Sequence, residues 1–338
     1  MQEQEERQNA NLENLKEDLK RKQTVLFLGA GINYSPHKKM MWNDLLEKLL
    51  NESISQLLMD NQTIDIIQTA FSESSLNSDD KTSHLLYVKA LQNFSVEMKA
   101  SIIKQLLGDA YISSIQSFLY DNKCLSSDFE KHYREYSEKP TMEVPFFSLF
   151  SIAEVILTHP NIKSVITYNY DTFLTTALNL MNADRKYCRG KKFAPVDIYS
   201  IKQKKLLNKN SFPIYHVHGM INPPDEFIPD NDNHVVLTLE DFYQLSQDPY
   251  IWQTSIQMES LLLNTCVFIG TQLSDMTMQR MLQYANLKEK QENVYLLTAH
   301  KADDLLLQLK NAYHTHCGLK VVYDKLGYEH LYNELKNK

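Results

Sequence analysis

Short apolar runs alternate along this chain with stretches whose apolar positions recur at helical spacing. Residues 3–22 are almost wholly polar, with Leu12, Leu15 and Leu19 three and four apart. That spacing predicts a helix whose narrow stripe either rests on a core or packs between subunits. Residues 24–29 then form an apolar strand. Asn33-Tyr34-Ser35-Pro36 reads as a loop, and a helix is expected from 42 through 50. Residues 52–150 show helical periodicity with little strand signal, carried by Leu57-Leu58, Ile64-Ile66-Ile67, Leu85-Leu86 and Ile102-Ile103-Leu106-Leu107. The polar stretch 72–81 interrupts them as a loop, 141–145 ends the section, and 146–157 predicts another helix. Strands are then expected at 162–167, 212–217, 235–237, 266–269, 294–297 and 319–323, with helices at 249–263, 276–285 and 302–311.

Strands alternating with helices imply an α/β fold: a Rossmann-like, mostly parallel sheet with ligands at the carboxyl ends of its strands. The helical stretch at about 52–150 reads as a large insertion beside that sheet. The organisation expected is a polar N-terminal helix at 1–22 followed by one domain at 23–338 containing the insertion.

Composition narrows the function classes. A net charge of -7 argues against direct nucleic-acid binding, which needs a basic face, while leaving room for a local phosphate site. Cys124, Cys188, Cys266 and Cys317 are far apart, so neither a disulfide framework nor a paired zinc knuckle is suggested, and a reducing cytoplasm is expected. No apolar run is long enough to cross a bilayer.

Four segments carry candidate chemistry. In the first, the strand ending at Leu28 runs into Gly29-Ala30-Gly31, glycines that permit close approach of a phosphate, and Asn33 could cap a following helix. The second, Thr167-Tyr168-Asn169-Tyr170-Asp171, places an amide and a carboxylate at a strand's carboxyl end. Those two groups face a ligand there, or simply cap the helix through Leu180. The third is Tyr215-His216-Val217-His218-Gly219. His216 and His218 share a strand face, so a metal has to be weighed, but no carboxylate or cysteine lies at a fitting spacing and none is expected. His314, His316 and Cys317 raise the same question and read as a surface loop. The fourth, Gly270-Thr271-Gln272-Leu273-Ser274-Asp275, is another strand-to-glycine turn, with hydroxyls suited to phosphate or ribose oxygens.

Taken together, G-A-G-I-N at 29–33, T-Y-N-Y-D at 167–171, H-G at 218–219 and G-T-Q-L at 270–273 resemble the sirtuin family and its bacterial NAD-hydrolase branch. Trp42 with Leu45-Leu46 is similar to a helix start of that branch. The resemblance covers roughly 23–50 and 160–325. It implies that Gly29, Ala30 and Gly31 line the NAD pyrophosphate, with Asn33 beside them. Asn169 would hold the nicotinamide ribose or the attacking water. Asp171 would bond the nicotinamide carboxamide, His218 would be the general base, and Gly270 and Thr271 would contact the adenosine half. Three departures bear on the activity. Only Cys266 and Cys317 lie beyond His218, so the four-cysteine zinc module of protein deacylases cannot be built and no zinc is expected. The loop at 34–41 lacks the aspartate and arginine of deacylases, and Gln272 replaces a serine.

The activity implied is NAD glycohydrolysis, with NAD as substrate and no further cofactor. The role implied is NAD depletion in antiphage defence, gated by homo-oligomerisation or by a partner such as a DNA-translocating ATPase. Protein deacylation, ADP-ribose transfer and non-catalytic NAD or ADP-ribose sensing are the competing readings.

Overall fold

A computed structural model describes residues 2–33, 42–59, 94–120, 126–184, 194–200, 210–224, 234–247, 251–273, 276–289, 293–299, 305–324 and 327–336. The loop expected at 72–81, the turn residues 34–36 and the pair Ser274-Asp275 lie outside them.

The strands are β1 (Thr24–Leu28), β2 (Ile162–Thr167), β3 (Val196–Tyr199), β4 (Phe212–His216), β5 (Gly219–Met220), β6 (His234–Val235), β7 (Thr265–Ile269), β8 (Val294–Ala299) and β9 (Lys320–Asp324). Seven of them form one sheet in the order β3-β4-β2-β1-β7-β8-β9, and every neighbouring pair is parallel. The fold is thus α/β and Rossmann-like, as the alternating pattern predicts. Every residue of β1 and β7 is buried, which fits central strands covered on both faces. Their alternation sorts the core into two clusters. Leu26 and Leu28 belong to one, Val25 and Phe27 to the other.

β3 has no counterpart in the sequence-based expectations. Its Val-Asp-Ile-Tyr is only partly buried apart from Tyr199, because it is the sheet's edge, and so it lacks the apolar run that marks the inner strands. The strand expected at 235–237 shrinks to the two residues of β6, which pairs antiparallel with β5 in a small separate ribbon.

Among the described residues, five helices lie between β1 and β2: α2 (Trp42–Met59), α3 (Val96–Leu107), α4 (Tyr111–Leu119), α5 (Ser126–Glu138) and α6 (Phe147–Thr158). α3, α4 and α5 fall in the region read as an insertion, and α2 runs into it from the helix expected at 42–50. α6 is buried nearly all round and leads into β2. The N-terminal α1 (Gln2–Arg21) rests on the sheet through buried Leu15 and Leu19. Asn11 donates to the Val321 carbonyl at 3.0 Å, and Tyr295 donates to Asp18 at 2.9 Å. After β2 come α7 (Phe173–Ala183), α8 (Leu239–Gln247), α9 (Trp252–Leu263), α10 (Met276–Glu289), α11 (Leu305–His316) and α12 (Tyr328–Lys336). α11 runs five residues past the expected end at 311, so His314 and His316 sit in its last turn rather than on a loop.

The strand order sets the place for a ligand. From β1 the chain adds β2, then the edge strand β3 and β4 between the two, and returns to add β7 on the other side of β1. The carboxyl ends of β1 and β7 therefore flank a topological switch point, where open α/β sheets hold their ligands. No described helix is long and apolar enough to cross a membrane.

Candidate active site

Two glycine turns meet at that switch point. The Gly29 amide donates to the Ile269 carbonyl at 3.0 Å, and the Gly31 amide to the Gly270 carbonyl at 2.8 Å. A Cβ on Gly29 would lie 2.7 Å from the Gly270 oxygen, and one on Gly31 2.8 Å from the Gly270 Cα. Gly270, at φ +68°, would meet the Ile32 nitrogen at 2.7 Å. The three glycines are thus required by the contact of the two turns with each other, and two of their amides are spent on it. Beside them, the Thr271 hydroxyl accepts from the Leu273 amide at 3.2 Å, which steadies Leu273 at its positive φ of 52°.

Asn33 closes a 3-10 turn, Ala30–Asn33, and is buried. Its Nδ2 donates to Asp171 Oδ2 at 2.6 Å, so its side chain binds across the sheet. Asp171 takes the capping role its sequence allowed and also bonds Asn33. Its Oδ1 accepts from the Phe173 amide at 3.1 Å, capping α7, while Oδ2 takes the Asn33 bond. Asn169 stands between the turns, with Nδ2 3.3 Å from the Gly29 carbonyl and its amide bonded to the Thr167 hydroxyl at 3.1 Å. The side-chain oxygens of Asn33 and Asn169 are buried without a hydrogen-bond partner among the described residues. Two such acceptors in one place are costly, at about 1–3 kcal/mol each, unless water or a ligand supplies donors.

Ala30, Asn33, Asn169 and Asp171 line one cavity with Trp42, Leu45, Phe118, Leu119, Tyr168 and Tyr170. Its volume is about 30 Å³, room for roughly two waters. Trp42 packs edge-on to Tyr170, ring centres 5.3 Å apart, and Tyr170 donates to the Val236 carbonyl at 2.7 Å. The sequence reading did not single out the aromatic walls of the cavity. Trp42 reads in the sequence as a helix start, and Phe118 and Leu119 carry no local signal beyond helical periodicity.

His216 and His218 do not share a strand face. β4 ends at His216, whose Nδ1–H donates to the Asn169 carbonyl at 2.9 Å. His216 is fully buried, and loss of hydration pushes its pKa down to about 4, the backbone bond opposing this only in part. It is a neutral prop under Asn169, a role that the spacing of His216 and His218 does not suggest. His218 lies in the following turn, its ring edge-on to Tyr168 at 5.0 Å and to Phe242 at 5.4 Å. It lines a second cavity with Gln253, Gln257 and Met278. Tyr168 borders both cavities, and its hydroxyl donates to Gln257 at 2.6 Å. Asn169 and His218 therefore line different cavities that share one tyrosine. No group of three or more metal-binding side chains occurs among the described residues.

The chain matches no curated protein. Residues 163–317 match the family model of the SIR2-like domain, a span that holds Asn169, Asp171, His218 and Gly270 and omits the turn at 29–31 and the helical region before β2. SIR2-like domains are NAD-dependent enzymes, so the match points to NAD-related chemistry in general. Over this segment, a little under half of its length, the chain is similar to SIR2-like domains.

Proposed function

We propose that this protein is an NAD glycohydrolase that consumes NAD and water and releases ADP-ribose, nicotinamide and a proton. The observation that carries the reading is the convergence of Asn33, Asn169 and Asp171 at the switch point, with two buried amide oxygens that lack donors. A carboxamide has two N–H donors and one acceptor, and a ribose has hydroxyls; both supply what these oxygens lack.

In this reading Asn33 and Asp171 hold the nicotinamide carboxamide and turn the ring out of line with its bond to ribose. That bond breaks with positive charge growing on the ribose. Asn169 orients the incoming water or a ribose hydroxyl without adding a charge that must be desolvated. His218 takes the proton. The pyrophosphate runs along the Gly29–Gly31 turn, and Gly270 and Thr271 face the adenosine half.

The role we assign is that of an NAD-depleting effector in antiphage defence. Unrestrained hydrolysis of NAD would poison the host cell, which calls for gating by self-assembly or by a partner protein, an ATPase being one candidate. A cavity of about 30 Å³ and a tyrosine shared with the cavity of His218 support a gated enzyme, because a pyridine ring enters only after the walls part. The test is nicotinamide release from NAD by the purified protein, across a concentration series that varies assembly and in lysates supplying the neighbouring gene products. Release that Asn169→Ala abolishes supports the reading. NAD bound stoichiometrically but never cleaved, under every such condition, would favour a sensing subunit instead.

A further inference from the structure

The site's loops are held by a residue from outside the matched domain. Tyr120 follows the last residue of α4, within the helical region that precedes β2. It is buried, and its ring stands edge-on to Phe173, centres 5.4 Å apart. Its hydroxyl donates to the Ile221 carbonyl at 2.8 Å and accepts from the Thr172 amide at 2.9 Å. The Thr172 hydroxyl is 3.3 Å away and donates as well, since the one tyrosine proton is already spent on Ile221. Thr172 adjoins Asp171. Ile221 is three residues past His218, and its amide bonds the Tyr170 carbonyl at 2.7 Å. One turn earlier on the same helix, Gln116 donates to the Asn222 carbonyl at 2.8 Å. Between them in sequence, Phe118 and Leu119 form walls of the cavity that holds Asn33 and Asn169.

We infer that Tyr120 is a positioning residue for the reaction: its hydroxyl fixes the loop carrying Asn169 and Asp171 against the turn carrying His218, and so lets the helical region set their spacing. This rests on the hydrolase reading of the site. One hydroxyl satisfying three groups on two loops defines their separation more narrowly than packing alone, and a misplacement of about 1 Å between reacting groups costs about a hundredfold in rate. A partner or a second copy that shifts α4 would move both loops at once, a direct route from assembly to turnover.

The experiment is Tyr120→Phe in the full chain, which keeps the ring. The expected result is a kcat for NAD hydrolysis lower by about tenfold or more with KM within about twofold, measured well below the melting temperature. A purely structural tyrosine would lower the melting temperature and leave kcat of the folded protein unchanged, and that result overturns the inference. Amide hydrogen exchange separates this from failure of the hydrolase reading. Exchange at Thr172 and Ile221 should rise together in the variant whether or not the wild type turns over NAD. A rise at one alone, or at neither, contradicts the tie. If Tyr120→Phe does not fold, Gln116→Met releases Asn222 alone; a lower kcat at unchanged KM supports the inference and an unchanged kcat overturns it.

Discussion

Asn33 and Asp171 are 138 residues apart in sequence and are joined by a 2.6 Å hydrogen bond at the centre of the site. The bond spans the sheet from the turn after β1 to the loop after β2, and it leaves the Asn33 oxygen as an unfilled acceptor in the cavity. Asn33→Ala removes both. Loss of a donor to a buried carboxylate should lower unfolding free energy by about 1–3 kcal/mol in urea titrations. NAD turnover should fall further, by about a hundredfold in kcat/KM, or about 2.7 kcal/mol of transition-state stabilisation. Asn33→Asp should be worse above neutral pH than below it, because two carboxylates in contact cannot both ionise. Equal turnover by wild type and Asn33→Ala would remove this residue from the site.

The meeting of the glycine turns makes a separate prediction. Gly31→Ala and Gly270→Ala each push a methyl to within 3.0 Å of backbone atoms on the opposite turn, and Gly270→Ala adds strain at φ +68°. Backbone cannot give way as a side-chain end can. Both variants should melt earlier, by about 1–3 kcal/mol of stability for the strained position, and both should lose NAD affinity. Gly108→Ala is the control: its φ is also positive, at +51°, but nothing lies within 4 Å of the added carbon, so strain acts there without a clash. NAD affinity should be unaltered in it.

His216 makes the fold sensitive to acid. Its pKa falls from 6.5 to about 4 on burial, so the unfolded chain takes up a proton that the folded chain refuses between those values. Stability from this residue is full above pH 6.5, declines as pH falls toward about 4, and changes no further below that. The loss amounts to about 3 kcal/mol. Urea midpoints measured from pH 7.5 to 4.5 should drop in the wild type and drop less in His216→Gln, whose side chain does not titrate. A parallel fall in both would assign the acid sensitivity elsewhere.

Tyr168 bears on gating. Its hydroxyl is held by Gln257 at 2.6 Å, and the residue lines both the cavity of Asn169 and that of His218. Tyr168→Phe keeps the ring and frees it to swing. Basal hydrolysis by the unassembled protein should rise, by about threefold or more if the released bond is worth about 1 kcal/mol. Damage to the fold cannot produce a gain, so an increase is diagnostic, and a decrease would make the hydroxyl part of the productive site.

Much of this was legible in the sequence because it is local. Inner strands such as β1, β2 and β7 declare themselves by apolar runs, and the T-Y-N-Y-D and H-G segments fall at strand ends, where a parallel sheet presents its ligands. What was not legible depends on register and tertiary packing. The prop under Asn169 exists because β2 pairs with β4 so that Thr167 lies beside His216. Nothing near residue 216 encodes that register. Tyr120 and Phe118 reach the site only because α4 ends beside the loops carrying Thr172 and Ile221, and helical periodicity says which residues face inward, not what they face. The edge strand β3 was missed for the converse reason, since half-buried positions carry a diluted pattern.

The central claim is that the groups gathered around Asn169 cut NAD rather than merely hold it. Its most direct test is nicotinamide and ADP-ribose quantified from NAD incubated with purified wild type, Asn169→Ala and His218→Ala under conditions that promote assembly. The account predicts equimolar products from the wild type and a loss of about a hundredfold or more in each variant, with melting temperatures little changed. Wild-type turnover retained in both variants, or NAD recovered intact from a saturated wild-type complex, would contradict it.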